Sequence, residues 1–218
     1  MVYAKNLLYT EKYLWSLYEQ KLMVRSEMYG FLSRMFLEPP PKLLIQDILN
    51  GNFFKIFENF PSNKKIREGL EKIKECSKKY RSVREFFEDV EDEYIKLFVG
   101  PFNPPVMLYE SEYSPLGHKV LIDIKRAYRK AGLYKSDKVK EREDHLALQF
   151  EFMKLLCEKG ETKLQKEFLQ HLLEWATKVM KKIINSKEAR FYKGIALIAL
   201  GFFELEEEFL GLSPDNPS

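Results

Sequence analysis

Apolar side chains return along this chain every three to four positions and hardly anywhere every two, which is the helical period. The clearest run is Val83, Phe86, Phe87, Val90, Tyr94, Leu97 and Phe98, all on one helix face. Ser82-Val83-Arg84-Glu85 opens it as a capping box and Gly100-Pro101 closes it. Before it, Thr10 can cap a helix that carries Leu22, Met28, Leu32, Met35 and Phe36 toward Leu37, where three prolines stop it. A short helix from Pro41 ends at Asn50-Gly51, and Phe53, Phe54 and Phe57 mark another piece before Pro61. Ser62 can cap the next helix, built on Ile66, Leu70 and Ile73.

Residues 100–114 carry no helical pattern. Ser114-Pro115 then restarts a helix that reaches Ala131 and stops at Gly132. After the polar stretch Lys135–Arg142, one helix is expected from about Glu143 to Glu158, with Gly160 breaking it. Leu164, Phe168, Leu172, Trp175, Val179 and Ile183 mark the next, and Phe191, Ile195, Ile198, Phe202, Leu205 and Phe209 the last. The sum is an all-α fold: a single globular bundle of about nine or ten helices. The loop near 100–114 is expected to join two lobes, roughly 1–99 and 115–212, with 213–218 a flexible tail.

Composition narrows the function. The 218 residues are 45% hydrophobic, with 17 Phe and 12 Tyr, enough for a sizeable core. Thirty-six basic residues against 33 acidic ones give a net charge of +3, which argues against a nucleic-acid binder. The local basic excess at 63–84 is interleaved with Ile66, Leu70 and Ile73, so it reads as a solvated helix face. Cys76 and Cys157 form no CxxC pair, the N-terminal residues lack an apolar signal core, and no apolar run reaches a membrane span of about 18 residues. The expectation is a cytoplasmic protein without stable membrane insertion.

Catalytic patterns are missing: no Gly-rich phosphate loop, no GxSxG, no HExxH. Glu141 and His145 are four apart, as are Glu167 and His171, whereas bundle di-metal sites use Glu-x-x-His. His171 is therefore expected in a solvated pair with Glu167. His145, in a first helical turn beside Phe152 and Leu156, reads either as a core histidine bonded to a backbone carbonyl or as a groove residue. The loop 98–113 is rich in apolar and aromatic side chains, and residues 88–112 hold seven carboxylates against Lys96 alone. Such a surface suits a hydrophobic, arginine-bearing peptide; the alternative is a loop pinned to the core.

Two segments carry a family resemblance. Tyr94-Ile95-Lys96-Leu97-Phe98-Val99-Gly100-Pro101, continuing to Tyr109-Glu110-Ser111, resembles an aromatic-xx-Leu-Phe-x-Gly segment, its Pro-rich loop and a Tyr-Glu-Ser triplet. Glu141-Arg142-Glu143-Asp144-His145-Leu146-Ala147, with Phe150-Glu151-Phe152-Met153, resembles a Pro-x-Asp-His signature and the helix it opens, except that Arg142 replaces the proline. Tyr29–Phe36 is similar to the first long helix of the same family. These are motifs of the TorD/DmsD (NarJ-like) chaperones. The resemblance implies a non-enzymatic, cofactor-free cytoplasmic chaperone for the twin-arginine leader and apo form of a molybdopterin-containing oxidoreductase, assisting cofactor insertion and export. It implies leader binding by Tyr109, Glu110, Ser111, Asp144 and His145, in a monomer or domain-swapped homodimer. The competing readings are a helical metal-dependent enzyme with a carboxylate/His site and a general helical interaction module.

Overall fold

The last described helix has no exposed residue from Phe191 to Phe203, and neighbouring helices cover that stretch. The computed structural model describes residues 21–58, 60–100 and 104–212. Among these are nine α-helices: α1 (21–37), α2 (Lys42–Leu49), α3 (Asn52–Ile56), α4 (Lys64–Ser77), α5 (Val83–Tyr94), α6 (Val120–Lys130), α7 (Leu146–Glu158), α8 (Thr162–Asn185) and α9 (Phe191–Phe209). No strand occurs among the described residues. The all-α bundle expected from the periodicity is what forms. Thr10, Pro101 and the tail 213–218 lie outside the described residues.

Phe191, Tyr192, Ile195, Ile198, Phe202 and Phe203 are all buried on α9, so this helix has no solvent face over most of its length. α4, from before the 100–114 loop, lies along α9, from after it. Three glycines set that approach. A Cβ on Gly69 would stand 2.6 Å from the Gly194 carbonyl oxygen, and one on Gly194 would stand 2.7 Å from that of Gly69. One on Gly201 would meet Ile66 Cγ1 at 2.7 Å. The basic residues of α4 face outward in exposed pairs such as Lys72–Glu75 and Lys64–Glu68, the solvated face that their interleaving predicts.

Two local starts differ from expectation. α4 is capped by Asn63, not Ser62: its Oδ1 accepts from Ile66 N at 3.1 Å, and its Nδ2 donates to the Gly201 carbonyl at 2.8 Å. One residue later, the cap can serve α4 and tie it to α9 at once. Ser82 does cap α5, accepting from Glu85 N. Beyond Ser114-Pro115 the chain passes through a 3-10 turn, Gly117–Lys119, with Gly117 at φ 54°, so the α-helix starts only at Val120.

The acidic rim is largely consumed by structure. Glu93 is 2% exposed and accepts from the backbone N–H groups of Arg190, Phe191 and Tyr192 at 2.7–3.1 Å, capping α9 from α5. Burial pushes its carboxyl upward in pKa, and these three donors oppose that. Asp89 pairs with Arg190, Asp92 with Lys96 and Glu88 with Arg84. Of the seven carboxylates at 88–112, Glu93 and Glu110 are buried and Glu88, Asp89 and Asp92 are ion-paired, so the rim is smaller than the sequence count.

Candidate functional site at the α7 N-terminus

α5 does not end in a simple stop. Its last turn widens into a π-helical turn, Ile95–Val99, closed by Gly100 N donating to the Ile95 carbonyl at 2.8 Å. Gly100 then takes φ 46°, a conformation open to glycine. The loop that follows folds back: Val106 N donates to the Leu97 carbonyl, and Val106 and Leu108 are buried. This part of the loop is pinned to the core, while Ile95 and Val99 stay exposed.

The loop then meets the residues before α7. Glu110 N donates to the Asp144 carbonyl at 2.9 Å and Leu146 N to the Leu108 carbonyl at 2.8 Å, so Tyr109 and His145 form an isolated antiparallel bridge. All five residues carried by the resemblance are thus brought to one place. They do not all face the same way.

His145 is the N-cap of α7 and not a member of its first turn, a correction to the expected start at Glu143. With φ −72° and ψ 135° it is extended, and its Nδ1 accepts from Ala147 N at 3.2 Å. A ring serving as acceptor at Nδ1 bears its proton on Nε2 and is neutral. The backbone partner is an N–H, not the expected carbonyl. Burial, helped by Arg142 and opposed by Glu141 and Asp144, pushes its pKa down to about 4. The Tyr109 ring stands edge-on to it at 5.0 Å, and the Tyr109 hydroxyl donates to the Glu141 carboxylate. Burial and that bond hold the phenol well above its ordinary pKa.

Asp144 has a fully buried side chain. Its carboxylate accepts from Ser111 N at 3.3 Å and, in bidentate fashion, from Arg142 Nε and Nη2 at 3.0 and 3.2 Å. The same Nη2 donates to Ser111 Oγ at 3.1 Å, and the guanidinium lies over the Tyr109 ring, 4.6 Å from its centre. Arg142, noticed in the sequence only as a missing proline, is the residue around which this side is organised.

Glu110 turns inward. Its buried carboxylate accepts from Gln149 Nε2 at 2.7 Å and pairs with His171 Nε2 at 3.0 Å, while Trp175 Nε1 donates to Gln149 Oε1 at 3.2 Å. The Glu110 hydrogen bond raises the His171 pKa against the opposing effect of burial. The solvated Glu167–His171 pair is therefore corrected: Glu167 reaches Lys130 instead, at 3.5 Å. Gln149, a polar side chain within the buried face of α7, was the available signal for this network. His171 also lines a cleft of about 200 Å³ between α6, α7 and α8, floored by Ile124, Phe152 and Phe168. Among the described residues no three His, Cys, Asp or Glu side chains form a cluster able to hold a metal ion.

The arrangement is a buried carboxylate, a hydroxyl and an aromatic face around the Arg142 guanidinium, linked through Glu110 and His171 to a cleft with an apolar floor and a charged rim. Over 202 residues the chain is 20% identical to the chaperone protein TorD of Vibrio atlanticus (strain LGP32), spanning 85% of this chain and 94% of that protein. Residues 63–186 match the nitrate reductase delta subunit family, a stretch that contains both motifs and more than half of the sequence. The chain belongs to that family, the TorD/NarJ-like maturation chaperones, which are not enzymes.

Proposed function

We propose that this chain acts in the cytoplasm as a chaperone for a molybdopterin-containing oxidoreductase, binding its twin-arginine leader and its apo form before cofactor insertion and export. Family membership supports the maturation role. The observation that carries the leader reading is the Asp144 site, which already grips a guanidinium by two carboxylate contacts, a serine hydroxyl and a tyrosine face. In this reading Asp144 and Ser111 take a leader arginine, Tyr109 stacks on it, and His145 fixes the backbone behind them. Glu110 contributes indirectly, holding the loop to His171 and so to the α6–α8 cleft, where apolar leader residues fit. No helix among the described residues is long and apolar enough to cross a membrane.

The test is calorimetric titration with a twin-arginine leader peptide. Wild type should bind it, and the Lys-Lys version should bind more weakly. Asp144→Asn should remain folded and lose roughly 1.5–3 kcal/mol of leader affinity, the value of a charge-assisted hydrogen bond. Wild-type affinity in that variant would remove Asp144 from the site.

A further inference from the structure

The Asp144 cradle is not waiting for its ligand; it holds one supplied by the chain. We infer that Arg142 is an exchangeable internal occupant of the guanidinium site, which an incoming leader arginine must displace. This rests on the leader-binding reading above and adds to it the step that sets affinity.

Three observations carry it. First, the contacts Arg142 makes are those a foreign arginine would need: both Asp144 oxygens, Ser111 Oγ and the Tyr109 ring face. Two guanidinium groups cannot share the same edge of the Asp144 carboxylate, the same Ser111 hydroxyl and the same Tyr109 face, so the two arginines exclude each other at this position. Second, the occupant can leave. Its side chain is 42% exposed whereas Asp144 is 0% exposed, so Arg142 can pass into water without unpacking the core, while the acceptor stays fixed. Third, the acceptor is held by contacts that do not involve Arg142. Ser111 N donates to Asp144 Oδ2, the 110–144 backbone bond fixes the strand-like crossing, and His145 caps α7 behind it. A departing Arg142 leaves an intact cradle.

Occupancy by a tethered arginine raises the threshold for any single arginine from outside. A peptide wins only if further contacts along the groove offset the exchange, so Arg142 favours long, apolar, arginine-bearing segments over stray basic ones.

The experiment compares wild type, Arg142→Ala, Lys140→Ala and the double variant Arg142→Ala/Asp144→Asn in two measurements. Lys140 is an exposed neighbour of the same charge and serves as the electrostatic control. Leader affinity should rise about fivefold in Arg142→Ala, the fold-change expected for freeing a half-exposed ion pair, and stay at the wild-type value in Lys140→Ala. Millimolar methylguanidinium, against tetramethylammonium as salt control, should raise the melting temperature of Arg142→Ala saturably and leave the double variant unmoved. Unchanged or weaker leader binding by Arg142→Ala, or an equal gain in Lys140→Ala, would overturn the inference while leaving leader binding standing. If no form binds the leader, the functional reading falls, and methylguanidinium alone decides: a rise confined to Arg142→Ala upholds an exchangeable guanidinium site, and its absence refutes it.

Discussion

Two arginine–carboxylate pairs in this molecule share a chemistry and differ in what surrounds them. Arg25 on α1 meets Glu206 on α9 through Nε and Nη2, the latter at 2.7 Å, and Tyr29 adds its hydroxyl to the same carboxylate at 2.8 Å. Both side chains are nearly sealed, at 7% and 1% exposure, and the guanidinium lies over Phe209. At the α7 N-terminus only the carboxylate is sealed. A charge that cannot reach water is committed to its partner, because breaking the pair strands it in a poor solvent. A charge with one face in water can trade partners. Burial of the arginine, more than the hydrogen-bond count, separates a structural tie from the exchangeable pair proposed at Asp144.

The largest effect should come from breaking the sealed pair. Arg25→Ala leaves Glu206 buried and should cost about 3–5 kcal/mol in urea unfolding. A loss as small as that from a surface pair would end the contrast.

The next effect sharpens the second region. His145 has its folded pKa near 4 against an ordinary 6.5, so the unfolded chain takes up a proton first as pH falls. Its contribution is complete above pH 6.5 and lost between there and about 4, by about 3 kcal/mol. His145→Gln should flatten that part of the stability–pH curve, and an unchanged slope would place the acid sensitivity elsewhere.

On the inward side of the same crossing the sign reverses. The His171 pKa is raised by Glu110, so its stabilisation is full below 6.5 and fades as pH rises through the folded value. His171→Gln should remove this smaller, opposite slope, read by melting temperature across neutral pH.

The last effect belongs to Arg142. Arg142→Ala leaves Asp144 sealed but still accepting from Ser111 N, beside space that opens to water when the guanidinium is gone, so it should cost clearly less than Arg25→Ala. A loss like that of Arg25→Ala would make it a second structural tie and not an exchangeable occupant.

Most of the helices were legible because their signals are local: the Ser82 cap, the stripes of α5, α8 and α9, and the stop at Gly100. The starts of α4 and α7 were misjudged by one to three residues, because neighbouring polar residues offer equivalent caps until tertiary contacts choose between them. Asn63 prevails over Ser62 through Gly201, 138 positions away. Glu93 looked like surface charge for the same reason, since the N–H groups it caps lie nearly a hundred residues on. The meeting of the 109–111 and 144–145 segments came from the family resemblance, not from any spacing. Neither source revealed that Glu110 turns inward or that Arg142 fills the cradle.

The crossing of these two segments also dates the site within the life of the chain. Ser111 waits for Asp144, 33 positions later, and Glu110 for His171, 61 positions later, so the contacts that shape the cradle close long loops. A ribosome-bound chain that has released only α1 to α6 has the Tyr-Glu-Ser triplet and nothing for it to hold. In the proposed reading, competence to bind arrives only when α7 and α8 have emerged and docked, so a half-made chain does not engage a client.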